Sequence, residues 1–345
     1  MNDRIPSPES SRPSRFPPVP SADILASETA EVTGPRRHPS GRTEQLFGVR
    51  RHDVVTPGPV PGVTVSERAE ESPAGVLQAF NPAAWQPGAF TRGLDGRPTA
   101  AAATVILDNA TAVAVHHAAR GQWPAVVTTE LQVNVLRPLD LDDTALMECW
   151  YTPLHVDGLG GAGRAWLVDH QGHVVVEATG WFQSVPAAPP AAMDAFVENA
   201  AMELGADTQR PMAQLLGLDP DSVLSEDSEV RPEVAAQAQQ TARYERCPQL
   251  ANPQGAMHGG AMTLRAVLAA QGALPDRARY DIQALRTLFL RPGLGEMVAM
   301  TRVRHAGRSL RLVDVELVPL DEAGAPVTHK PMVQVSVTFR ARPEA

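Results

Sequence analysis

Lysine is almost missing: of the 30 basic residues in this 345-residue chain, only Lys330 is a lysine. Contact with an anionic partner therefore falls to arginine or to backbone N–H groups. Cysteine is equally scarce. Cys149 and Cys247 stand far apart with no metal-ligand spacing, which excludes a disulfide framework, fits a reducing cytoplasm and points to no metal site. Aromatic residues make up 5% of the chain, and no apolar run approaches the roughly 18 residues that a membrane helix needs, so no membrane partner is expected. The N-terminus has no apolar core of the kind a signal peptide carries. No basic stripe relieves the net charge of −9, which argues against nucleic acid. What is present is a 43% hydrophobic chain long enough for two domains with cores of their own.

Residues 1–42 are rich in Pro, Ser and Arg with little periodicity, and are expected to form a disordered lead. Glu44-Gln45-Leu46-Phe47-Gly48-Val49 then reads as a short helix closed by glycine, and similar text returns as Ala213-Gln214-Leu215-Leu216-Gly217-Leu218. The recurrence extends over most of the chain. An Ala/Val-rich helical stretch at 99–119, stopped by Gly121, parallels 259–274, stopped by Pro275. Each is followed by a strand ending in the same triplet, Leu136-Arg137-Pro138 and Leu290-Arg291-Pro292. Further strands are predicted at 144–152, 163–169 and 174–182, and at 297–305, 308–318 and 332–339. Gly163-Arg164 and Gly307-Arg308 hold corresponding strand starts. The stretch between the halves has a Pro/Ala-rich start and a polar continuation, with a helix over 193–204. The chain thus divides into a lead at 1–42, a first domain at 43–185, a linker at 186–210 and a second domain at 211–345. Each domain is of α+β class, antiparallel strands able to wrap one long helix.

The most distinctive stretch is Asn252-Pro-Gln-Gly-Ala-Met-His258-Gly259-Gly260, which runs straight into the second apolar helix. Two glycines at a helix start let a ligand approach the backbone closely, and the first free N–H groups of the helix point at it. This stretch resembles the N-P-x-G-x-x-H-G-G of hotdog-fold acyl-CoA thioesterases of the phenylacetyl-CoA thioesterase type. The resemblance implies a double hotdog, two antiparallel sheets each wrapped around a long central helix and paired edge to edge. It also implies a carboxylate nine residues past the histidine, where this chain has Val267.

Setting the two helices in register puts Thr99 opposite His258 and Asp108 opposite Val267. Nine residues turn a helix by about 900° and rise about 13.5 Å, so a turn residue and an acid nine later lie on opposite faces. They meet only if two helices run antiparallel side by side, each lending its acid to the other's glycine turn. One composite site would then hold Asn252, His258 and Gly259 with Asp108. Its mirror image would hold Gly93, Thr99, Ala100 and Val267, which carry no chemistry. In relatives of the human thioesterase-superfamily type, a hydroxyl on the strand after the helix lies ten residues before the proline of the strand-end triplet. Here that position is Thr128 in the first half and Ile282 in the second.

The resemblance implies thioester hydrolysis. Gly259 N–H would polarise the thioester oxygen, Asp108 would act as general base on water, Thr128 would position that water, Asn252 would orient carbonyl or water, and His258 would shape the turn. Arg164 and Arg308 are candidates to face the phosphates of coenzyme A. The expected partner is a small acyl thioester, carried on coenzyme A or an acyl carrier protein. The coenzyme is then part of the substrate and no separate cofactor is implied. Double-hotdog chains of such families also associate, so a homo-oligomer is expected. Two alternatives stand beside this reading: a non-catalytic acyl-CoA-binding scaffold, and a hotdog hydratase or dehydratase, against which Asp108-Asn109-Ala110 lacks the downstream histidine. His116-His117 and the five tryptophans, all in the first half, read as structural.

Overall fold

The computed structural model describes residues 41–59, 61, 78–120, 123–139, 146–223 and 238–342. The expected lead falls outside them except for its last two residues, as does Gly121. Helix α1, Arg42–Leu46, starts at the residue assigned to the end of that lead. Among the described residues eleven antiparallel strands make one continuous sheet. They are β1 Val49–Pro59, β2 Gln78–Trp85, β3 Ala125–Val135, β4 Met147–Val156, β5 Gly160–Val168, β6 Val174–Val185, β7 Gln239–Tyr244, β8 Tyr280–Phe289, β9 Met297–Ala306, β10 Leu310–Pro319 and β11 Val333–Ala341.

Their order across the sheet is β1-β2-β4-β5-β6-β3-β8-β11-β10-β9-β7. Apart from the extra edge strand β1, this reads the same from either end: β2-β4-β5-β6-β3 meets its counterpart β7-β9-β10-β11-β8 at the centre. The repeat seen in the sequence is therefore a structural one, and the protein is a double hotdog whose two sheets are joined into one. Their junction pairs β3 with β8, Glu130 opposite Leu288 and Asn134 opposite Ala284, with Arg286 ion-paired to Glu130 at 2.8 Å across it. Corresponding strands bulge at corresponding places, at Thr129 in β3 and Gln283 in β8. Such bulges bend a strand and re-aim its side chains. The strands β1, β2 and β7 were not expected; Pro57, Pro59 and Pro82 break the alternation by which strands are read, and proline is confined to edges and bulges.

Two central helices, α2 (Thr104–Ala119) and α5 (Gly259–Gly272), lie against this sheet and against each other. Both are apolar nearly all round, as a helix enclosed on every side must be. The expected helix start at Thr99 holds in a modified form: Ala100–Ala103 is a 3₁₀ turn, capped by Thr99 Oγ1 on the Ala101 N–H, before α2 begins. Close approach is bought with glycine. A methyl group on Gly163 of β5 would stand 2.6 Å from the Thr111 carbonyl oxygen in α2. One on Gly260 would stand 2.6 Å from Val105 Cα, so the two helices touch backbone to backbone there.

The linker is ordered. Its helix α3, Pro190–Ala201, starts three residues before the expected 193 because proline's fixed φ suits the first helical position. A further short helix, α4 (Met212–Leu215), opens the second half. Arg42 of α1 donates to the Met202 carbonyl and pairs with Asp207 at 2.9 Å, while Gln254 and Asn199 join the linker to residues 248–254. Among the described residues no helix is long and apolar enough to cross a membrane.

Candidate active site

The loops that precede the two central helices are one turn made twice. Arg92 bridges Pro98 as Ala251 bridges Met257, and Gly93 N–H donates to Arg97 O as Asn252 N–H donates to Ala256 O. Gly96 and Gly255 hold the same place with φ of +71° and +80°, a conformation glycine reaches without penalty. The scaffold is thus shared, and what differs is the side chains set on it.

In the second half Asn252 Oδ1 accepts the N–H groups of Gln254 and Ala256 at 3.0 and 3.2 Å, so its oxygen shapes the loop and only its amide nitrogen remains for a ligand. His258 caps α5: its Nδ1 accepts the Gly260 N–H at 3.1 Å, which leaves the proton of the neutral ring on Nε2. The His258 N–H donates to Leu250 O and the Met257 N–H to Gly293 O, fixing the loop on both sides. Gly259, first residue of the helix, has its own N–H outside the helical ladder.

Asp108 arrives from the other half. It lies in the second turn of α2, 4% exposed, and its Oδ2 accepts the Gly260 N–H at 2.8 Å. Oδ1 accepts the Thr128 hydroxyl at 2.8 Å, and His258 Nδ1 stands 3.4 Å from Oδ2. A buried carboxylate is costly unless hydrogen-bonded; here both oxygens have donors and the positive end of α5 faces them. A methyl group on Gly259 would fall 2.8 Å from Asp108 Oδ2 and 3.3 Å from the Phe289 ring. The carboxylate, the first residue of α5 and an aromatic wall therefore bound one small space. Behind Asp108, Asn109 Nδ2 donates to the buried Glu44 at 2.7 Å, which in turn pairs with Arg51.

The mirror position holds none of this. Val267 is fully buried, Ala101 N–H is taken by Thr99, and Gln271 fills the space beside Gly93, 3.4 Å from the Leu94 N–H. Ile282, opposite number of Thr128, is buried apolar surface.

The two arginines proposed for phosphates stand elsewhere. Gly163 faces α2, so Arg164 next to it points to the opposite face of the sheet, where it pairs with Glu177 at 2.6 Å and covers Trp166. Arg308 lies in the turn between β9 and β10, where Tyr280 at the start of β8 donates to its carbonyl; Phe289, beside Gly259, is at the far end of β8. Gly260 and Phe289 were not picked out as site residues from sequence, although the double glycine was a sufficient signal for the first. Among the described residues no group of three or more His, Cys, Asp or Glu side chains is placed to hold a metal.

Residues 248–340 match a family profile described as the acyl-CoA thioesterase N-terminal domain. Comparison of the chain with curated proteins finds no match. Among solved structures, an acyl-CoA thioesterase II from Mycobacterium marinum is 14% identical, covering 77% of this chain and 92% of its own, with a TM-score of 0.49. A 12:0-ACP thioesterase from Umbellularia californica is 12% identical over 76% of this chain and 94% of its own, TM-score 0.47. An acyl-ACP thioesterase from Bacteroides thetaiotaomicron is 12% identical over 74% and 96%, TM-score 0.45. Residues 248–340, which carry the double-glycine helix start, are thus similar to the acyl-CoA thioesterase N-terminal domain.

Proposed function

We propose that the chain hydrolyses acyl thioesters at a single composite site shared by its two halves. The observation that carries this reading is the 2.8 Å hydrogen bond from Gly260 N–H to Asp108 Oδ2, which sets a carboxylate of one half against the helix start of the other. The thioester oxygen takes the Gly259 N–H, whose dipole stabilises the charge that develops on it. Asp108 removes a proton from water as the water oxygen bonds to the carbonyl carbon. Thr128, whose proton is committed to Asp108, keeps lone pairs free to accept from that water. When the tetrahedral adduct collapses the carbon–sulfur bond breaks, and the departing thiolate takes the proton held by Asp108.

The substrate is a small acyl thioester on coenzyme A or an acyl carrier protein, and no cofactor enters the scheme. His258 holds the turn, and Asn252 offers its amide nitrogen to the carbonyl or the water. The test is free-thiol release with a panel of acyl-CoAs, run on the parent and on Asp108→Asn. Loss of a general base costs about 10² to 10⁴ in rate. A variant with undiminished turnover removes Asp108, and with it the composite site, from the scheme; a parent that binds acyl-CoA without turning it over removes the hydrolase reading and leaves a binding scaffold.

A further inference from the structure

The halves differ most in one connection. In the first half β5 and β6 are joined by residues 169–173, while their counterparts β10 and β11 are joined by 320–332. The longer connection is well built. Asp321 Oδ1 accepts the N–H groups of Ala323 and Ala325, Leu320 bridges Pro326, and Lys330 N–H donates to Val327 O. It leans over the end of β8: Arg291 Nη1 donates to Pro331 O at 2.8 Å, and the N–H groups of Leu290 and Arg291 both donate to Met332 O. Between the connection and the strand end lies a cavity of about 550 Å³, lined by Arg291, Leu294, Glu296, Asp321 and Lys330 among others.

The cavity wall carries two cations, Arg291 and Lys330, and two carboxylates, Glu296 and Asp321. Glu296 is already tied to Arg243 at 2.8 Å, and Asp321 is occupied by its own turn. The Lys330 ammonium, by contrast, has no hydrogen-bond or ion-pair partner among the described residues, and Arg291 spends one N–H on a carbonyl. The chain's single lysine therefore sits beside an arginine on the wall of a space in which one of the two acids, Glu296, is already ion-paired.

The cavity also lies near the composite site. A second cavity of about 200 Å³ shares Leu294 and Gly295 with it and reaches Gly255 and Met257, next to His258. Phe289, the last residue of β8, touches the Gly259 position, and Arg291 follows two residues on, at most about 7 Å of chain. Arg291 thus brings the cavity wall close to the composite site.

We propose that the 550 Å³ cavity holds the nucleotide phosphates of coenzyme A, with Lys330 and Arg291 as the contacting cations. This rests on the thioester reading of the neighbouring site. A concave space of several hundred Å³ suits a nucleotide better than the surface of a carrier protein.

The experiment compares kcat/KM for one acyl group on coenzyme A and on N-acetylcysteamine, which presents the same thioester without phosphate. In Lys330→Ala and in Arg291→Ala the ratio of the two falls about tenfold, mainly through KM with acyl-CoA, with Lys330→Arg restoring much of it and added salt narrowing the gap. An unchanged ratio overturns the proposal, as does an equal fall with both substrates, which would report structural damage alone. If the parent turns over no thioester, the hydrolase reading has failed, and calorimetry with coenzyme A decides the cavity separately. Weaker binding by Lys330→Ala upholds it, and binding that is absent or unaltered overturns it.

Discussion

The Gly260 N–H, in the first turn of one central helix, donates to Asp108 Oδ2 in the other at 2.8 Å, so the joint that locks the two halves together also orients the proposed base. Fold and chemistry share an atom here, and the adjacent glycines separate the two. A methyl group on Gly260 meets the backbone of α2 at Val105, which cannot move aside without parting the helices. Gly260→Ala is expected to lose about 1–3 kcal/mol of stability, read as a lower denaturation midpoint. On Gly259 the methyl meets side-chain atoms of Asp108 and Phe289, which can rotate. Gly259→Ala is expected to melt near the parent while kcat falls on the order of 10²-fold. Equal melting losses in both variants would contradict this division.

Thr128 tests the water-positioning role. Thr128→Val keeps shape but removes the hydroxyl that donates to Asp108 Oδ1, and about a tenfold or greater loss of kcat is expected with the fold retained. Thr128→Ser should recover most of it. If valine and serine act alike, the hydroxyl has no part in turnover.

The mirror site should not be revivable by one change. Val267→Asp would bury a carboxylate where the Ala101 N–H is already spent on Thr99 and Ile282 offers no hydroxyl. About 3 kcal/mol or more of destabilisation is expected from denaturant titration, with no added turnover per chain. A stable variant with doubled activity would show that the second site needs only its acid.

Acid should weaken the fold through His117. Its Nδ1 lies 2.9 Å from the Tyr151 hydroxyl near the end of α2, and burial, with the neighbouring Arg120 charge, holds its pKa below the ordinary histidine value. The unfolded chain then binds a proton that the folded one refuses, so stability from this group is full above about pH 6.5 and declines as pH falls below it. Melting temperatures of the parent should drop over that window more steeply than those of His117→Gln. Parallel curves would rule the histidine out.

Much of this arrangement was legible in the residues, and the failures have physical causes. The duplicated turn at 93–99 and 252–258 is local, held by bonds within a few residues, so its spacing survives in the text. The register of Asp108 against His258 was readable because each helix follows its copy of the turn at the same spacing. Arg164 and Arg308 were misplaced for a different reason: matching positions in a repeat say nothing about which face or end of a sheet they occupy. Gly163 had to face the helix, and that turned its neighbour outward.

Composition and spacing alone settle that the chain is a duplicated α+β unit and that only one half keeps the histidine-glycine turn. Asp108 and Gly260 are separated by 152 positions, and no period in the chain encodes a hydrogen bond between them. That bond exists because β3 and β8 pair at the sheet centre and two helices meet at a residue without a side chain. The same folding leaves the other end without a carboxylate, with Val267, Ile282 and Gln271 filling the space a second site would have needed.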